Sequence, residues 1–311
     1  CFVYLLGAIV VWLSGSLTAA LRGMGDMQFP AVLTVICAGI QIFFSAGFIL
    51  GSFGLPKLGL VGSAWSMIVT SGFMALVTLI KISSPSSPVR LKLKRLTIER
   101  ELFGDIFSVA LPASLSPIMT VATVLLLTGL IGQFGTSAIA GYGIGSRVEF
   151  LLIPIVFGIG TAMTAMVGTN IGAKNIERAE RIGMVGATTA GLLSAVIGLA
   201  LALTPNLWIS IFTSDPETLL VTKQYIQILG VCYIFQGYGL SLYFASQGAN
   251  AMKWPIIITA IRLIVFSVLA LAAVYWLSYG LVSIFYASAI AMVIFGVLMV
   301  ISLKMGAWRN N

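Results

Sequence analysis

"AVLTVICAGIQIFFSAGFIL", residues 31–50, is a run of twenty residues without one charged side chain. As a helix rising 1.5 Å per residue it is about 30 Å long, which matches the hydrocarbon core of a bilayer. Working outward, runs of the same kind recur along the whole chain, for example Val185 to Leu203. Nine spans can be placed, roughly 2–21, 29–50, 59–82, 103–131, 137–169, 180–203, 218–245, 255–277 and 280–303. The alternation of apolar and polar residues expected of a membrane β-barrel is missing. The sequence therefore predicts an all-α polytopic membrane protein. Composition agrees, with 59 % hydrophobic and 8 % charged residues and a mean hydropathy of +1.08, where a soluble domain carries about a quarter charged residues.

The net charge of +8 does not point to nucleic acid, because the basic residues sit between spans and follow the orientation rule of membrane proteins. One side collects Arg22, the cluster Arg90, Lys92, Lys94, Arg95 and Arg100, then Lys174, Arg178 and Arg181, then Lys253, and last Lys304 and Arg309. The other side has Lys57 in one loop and no Lys or Arg around Gly135, Pro205 and Ser278. The first side is expected to be cytoplasmic, with the N-terminus of the chain outside and its C-terminus inside. On the outer side "TSDPE", 213–217, reads as a helix start, with Ser214 or Asp215 capping and Pro216 at the first helical position. The Ser/Pro-rich stretch 83–100 is the natural linker between a lobe at 1–82 and a lobe at 101–311.

There is no histidine, so His-based metal sites, triads and proton relays are excluded. Cys1, Cys37 and Cys232 lie far apart in apolar context and form neither a disulfide framework nor a metal cluster. No cofactor and no metal are expected. The chain starts with Cys1, and no basic segment precedes its first apolar run as in a signal peptide; it is expected to begin inside a longer protein.

An internal repeat sharpens the architecture. "LRGMGDMQFP", 21–30, aligns on its proline with "SQGANAMKWP", 246–255, and "GLV" at 59–61 returns at 280–282. Each copy reads span, short turn, span, short outer turn, span, and both start outside. They are expected to be parallel repeats about the membrane normal, an arrangement of transporters. The second copy closes a lobe of six spans and the first a lobe of three, so equal lobes would need three further spans ahead of Cys1.

One stretch stands out chemically: "GYGIGSRVEFLLIP", 141–154. Glu149 is the only acid deep in any expected span, and an embedded charge usually marks an ion or substrate path. Pro154 has no N–H to give the carbonyl of Phe150, so carboxylate and carbonyl together would form an oxygen-rich point for a cation, a proton or water. Arg147 stands two residues away and does not share a helix face with Glu149; each could instead pair elsewhere between helices. Arg262 is the other embedded charge. Pro112 and Pro117 are expected to break or bend their span, releasing the carbonyls of Ser108 and Ala113. Gly168 and Gly172 offer a small-residue packing face, and Asn170 a cap or packing contact.

The sequence resembles the multidrug and toxic compound extrusion (MATE) transporters. The likeness rests on "LRGMGDMQFP", on "FGLPKLGLVGSAWS" at 53–66, "ALPASLS" at 110–116, "RVEFLLIPIVFGIGTAMTAMVGTNIGAKN" at 147–175 and "IFTSDPE" at 211–217. The resemblance implies a two-lobe helical bundle of which three N-lobe and six C-lobe spans are present, the family's first three being missing. It further implies a monomeric antiporter of the cell membrane, coupled to H+ or Na+. This antiporter would export amphipathic organic cations from a central cavity by rocking of the lobes. In the family's fifth helix an Asn and an Asp often stand four residues apart; counted back from "FILG", those places hold Gln41 and Ser45, a polar patch without a carboxylate. Some members carry an acid in the helices that match 103–131 and 218–245, where this chain has only Asp105 at the edge. Alternatives are a lipid or lipid-linked oligosaccharide flippase, which would want more basic residues than Arg147 and Arg262, and a non-transporting remnant. A membrane enzyme would need paired carboxylates, His or a nucleophile–base set.

Overall fold

The structure is a computed structural model and describes residues 2–84, 100–277 and 279–309. The expected linker, with Arg90, Lys92, Lys94 and Arg95, falls almost entirely outside the described residues, as do Cys1 and Ser278; the side chain of Asp105 lies outside them too. Eleven helices are described: α1 (Phe2–Gly23), α2 (Gln28–Leu50), α3 (Leu60–Ser83), α4 (Arg100–Gly132), α5 (Thr136–Gly172), α6 (Ile176–Leu203), α7 (Pro205–Ile209), α8 (Pro216–Gly230), α9 (Tyr233–Gly248), α10 (Lys253–Leu271) and α11 (Val282–Lys304). A π-helical turn, Ala272–Trp276, extends α10. Eight of these are long and apolar enough to cross a bilayer singly, and α8 with α9 supply a ninth if that bent pair is one span. The protein is an all-helical, multi-pass membrane protein. The apolar residues that face outward agree: on α1, Phe2, Leu5, Ile9 and Trp12 make an exposed stripe of a size that water would not tolerate on a monomer.

Two compact units are present, Cys1–Ile98 and Glu99–Asn311. In the first, α3 packs on both α1 and α2. Gly62 at the start of α3 lies against the backbone of Phe48, where a Cβ would come 2.6 Å from its carbonyl carbon and oxygen. Buried Thr18 is satisfied inside its own helix, its Oγ1 donating to the Ser14 carbonyl at 2.9 Å, since lipid offers no partner. In the second unit α9 is central and packs on α5, α6 and α11.

The repeat is visible in the backbone. In the first turn Asp26 N–H donates to the Leu21 carbonyl, and 225 positions later Ala251 N–H donates to that of Ser246. The residues between, Gly25 and Asn250, are both left-handed, at φ 88° and 57°. Turns of this type also end α5 and α11, around Lys174 and Gly306, so the turn alone is not diagnostic. The packing order adds to it: α11 packs on α9 and α10 as α3 packs on α1 and α2.

Two expectations need correction. The span expected at 218–245 is two helices meeting at 59°. No proline marks the break; it follows Gly230, whose backbone packs directly on Gly198 of α6. Pro112 and Pro117 both lie inside α4, which runs on through them. The carbonyl of Ala113, which Pro117 leaves without its helical partner, accepts the Tyr243 hydroxyl at 2.9 Å. Gly168 packs on Gly248, but Gly172 has open space before it, so no two-glycine face forms. Asn170 donates through Nδ2 to the Met166 carbonyl at 2.7 Å and turns the chain through its own carbonyl.

Asp215 is the N-cap of α8, and Pro216 is its first residue. Its Oδ2 accepts from the Thr218 hydroxyl at 2.6 Å and the Thr218 N–H at 2.9 Å. These bonds hold its carboxyl below the usual aspartate range. A lowered pKa in the folded state adds stability above the unfolded value of about 3.9 and loses it as pH falls through the folded value. Asp215→Ala should therefore lower the thermal midpoint in detergent at pH 7, and the gap to wild type should close as the pH is taken below about 4. An undiminished gap in acid would show that the cap does not work through this charge.

Candidate functional site

The three glycines of 141–145 divide by face. Gly141 and Gly145, four residues apart, press α5 onto α8, where a Cβ would meet Val221 and the Tyr225 ring; Gly143 has nothing within 4 Å. The small-residue stripe lets the two helices approach closely. Thr222 Oγ1 crosses to donate to the Gly141 carbonyl at 3.0 Å. The same approach lays Tyr225, only 1 % exposed, along α5. One turn further, its hydroxyl donates to Glu149 Oε1 at 2.6 Å. Tyr225 is fixed by edge-on contacts with Tyr142 and Phe285, centroids 5.5 and 5.2 Å away.

Glu149 opens on a cavity of about 50 Å³. Arg262 of α10 forms part of its wall, with Tyr142, Tyr225, Thr123 and Ser288. Arg262 stacks over the Phe295 ring at 5.0 Å and makes no ion pair with Glu149 within 4.0 Å. Carboxylate and guanidinium thus share one small chamber without closing on each other. A water needs about 10–15 Å³ of such space and a drug-sized ligand about 300–1,000 Å³, so this chamber suits protons, waters or one small cation.

The other expected residues lie elsewhere. Arg147 is exposed and stacks over Phe212 at 5.0 Å, so the two charges of "RVE" serve different faces. Pro154 lies inside α5, and Glu149 bonds Tyr225 of α8 and shares a cavity with Arg262 of α10. Gln41 and Ser45 sit in the first unit. Gln41 Nε2 donates to Ser66 Oγ at 3.1 Å, Ser45 and Ser66 hydroxyls lie 2.8 Å apart, and Ser66 donates to the Ser63 carbonyl at 2.8 Å. This knot joins α2 to α3 and contains no carboxylate. Sequence reading missed Tyr225; the available signal was a tyrosine on the span that faces the glycine stripe.

Comparison with known proteins gives the family. A model of the MatE family matches residues 112–272, more than half of the chain. The chain belongs to the MatE family. The matched part holds Glu149, Tyr225 and Arg262 together. Among curated MatE-like relatives, a protein from Thermotoga maritima called probable multidrug resistance protein NorM is 28 % identical over 261 residues, covering 84 % of this chain and 56 % of that protein. Bacillus subtilis YoeA, also called a probable multidrug resistance protein, is 24 % identical over 246 residues, covering 78 % and 53 %. The chain thus spans about half the length of these relatives. Its fold matches a MOP superfamily transporter from Pyrococcus furiosus with a TM-score of 0.90 at 21 % identity, over 99 % of this chain and 69 % of that one. A Vibrio cholerae MATE transporter matches at 0.83 and 20 % identity, over 100 % and 69 %.

Proposed function

We propose that this chain carries out multidrug efflux as a cation-coupled antiporter. It exports amphipathic, cationic small molecules in exchange for H+ or Na+, works as a monomer in the cell membrane, and alternates access by rocking of its lobes. The observation that carries the coupling part is the Glu149 chamber, where a carboxylate held by Tyr225 faces Arg262 across about 50 Å³. Its size supports an ion or proton site and not a drug site. When a cation or proton occupies Glu149, the charge of Arg262 is left without its counterpart; when Glu149 is empty, the two charges balance. Occupancy thereby changes the local charge by one unit, enough to favour one packing of α5, α8 and α10 over another. The names of the relatives support drug substrates.

The test is ethidium flux in proteoliposomes under an imposed pH or Na+ gradient. Flux driven by one of the two is expected; equal flux with both gradients collapsed would overturn coupling, and no flux in any condition would favour a non-transporting chain. The orientation has its own test. Single cysteines at Lys174 and Thr213, in a background without Cys1, Cys37 and Cys232, should react with an impermeant maleimide from opposite sides of intact cells, Thr213 from outside. Labelling of both from one side would refute the map.

A further inference from the structure

Between α5 and α6 runs an apolar groove of about 620 Å³, lined by Ile159, Met163, Met166, Ile182 and Val185 and bordered by Arg178 and Arg181. It continues into an exposed stripe along α6 through Leu192, Val196, Leu199 and Leu203. Arg178 and Arg181 lie three residues apart, and Arg181 lies four before Val185, so they share a helix face with the groove, and a molecule with a charged head and an apolar tail would be contacted at both ends. Among the described residues neither guanidinium has an ion-pair partner within 4.0 Å. Of the two acids on the first turns of α6, one is already taken. Glu180 is engaged by Arg309, whose Nε and Nη2 donate to its two oxygens at 2.8 and 2.7 Å, and Glu177 is exposed on the first turn of α6. The N-terminus of α6 adds partial positive charge. This end of the unit is also built firmly: Trp308 Nε1 donates to Ser246 Oγ at 3.2 Å, and its ring covers Gly183, which holds Arg309 over Glu180.

We propose that this groove binds an anionic phospholipid, with the phosphate on Arg178 and Arg181 and an acyl chain along the groove and the α6 stripe. Ordinary interfacial anchoring would need the arginines alone; the groove beneath them and the neutralised Glu180 beside them make a site for one molecule. Basic pockets between transmembrane helices hold acidic headgroups in this way.

Native mass spectrometry of the full purified chain, offered equimolar phosphatidylglycerol and phosphatidylcholine of identical acyl chains, tests it. Phosphatidylglycerol should stay bound selectively. The double variant Arg178→Gln/Arg181→Gln should lose about 25-fold in affinity for it, about fivefold for each arginine, with no change for phosphatidylcholine. Arg309→Gln should weaken it too, by freeing Glu180. Equal retention of both lipids, or undiminished phosphatidylglycerol binding by the double variant, would overturn the proposal. Displacement by a tenfold excess of inorganic phosphate, or by ethidium, would also overturn it, assigning the site to a free anion or to a drug. Should the double variant not fold, Val185→Trp, which fills the groove from the lipid side, gives the same decision: unchanged phosphatidylglycerol binding would refute it.

Discussion

Glu149→Gln is expected to abolish gradient-driven efflux, a loss of about 100-fold, the scale on which removal of a proton-handling side chain is felt, while the protein still inserts and folds. Gln keeps the volume and can still accept from Tyr225, so the packing of α5 on α8 survives. What disappears is the titratable charge facing Arg262. Tyr225→Phe is the graded companion. It keeps the ring contacts with Tyr142 and Phe285 and removes one hydrogen bond to a charged acceptor, worth about 1.5 kcal/mol at the lower end. Transport should therefore fall by about tenfold and not vanish. Efflux in proteoliposomes, with thermal midpoints as the control for folding, separates the outcomes. Wild-type efflux by Glu149→Gln would leave the carboxylate a packing residue and refute the coupling role proposed for it.

Most of the fold was legible because lipid makes the code simple: length and lack of charge place the helices to within a few residues. The exceptions are local. The break between α8 and α9 was not legible, since nothing in "QILGVCYIF" forbids a continuous helix; it lies where Gly230 meets Gly198, two residues 32 positions apart whose contact is tertiary. The prolines of α4 show the same limit. A proline removes one hydrogen bond from a helix, and a neighbouring hydroxyl, here Tyr243, can restore it. For the site, the rarity of buried charge was enough to single out Glu149 and Arg262. That they share one chamber depends on α10 lying beside α4 and α11, which spacing within one helix cannot reveal. Gln41 and Ser45 were correctly seen to share a face, but Ser66 of α3, which closes their hydrogen bonds, lies on a different helix.

The same substitution two residues apart on α5 should have opposite effects. Gly143→Ala adds a methyl into open space and lowers the backbone entropy of the unfolded chain, so it should stabilise by about 0.5–1 kcal/mol. Gly145→Ala places the methyl against the Tyr225 ring, with Cγ only 3.1 Å away. That ring cannot rotate aside, because it is buried between Tyr142 and Phe285. Either α8 moves off α5 or the ring leaves its place, and overpacking of this kind costs about 1–3 kcal/mol. The difference between the two variants, about 3 kcal/mol, corresponds to about 6–12 °C in thermal midpoint for a unit of this size. Transport should follow the same division. Gly143→Ala should pump as wild type does, whereas Gly145→Ala should resemble Tyr225→Phe, because the displaced hydroxyl no longer reaches Glu149. Midpoints that move together would show that the two helices are not held at this crossing. A Gly145→Ala protein that is destabilised yet transports fully would show that the Tyr225–Glu149 bond serves packing alone.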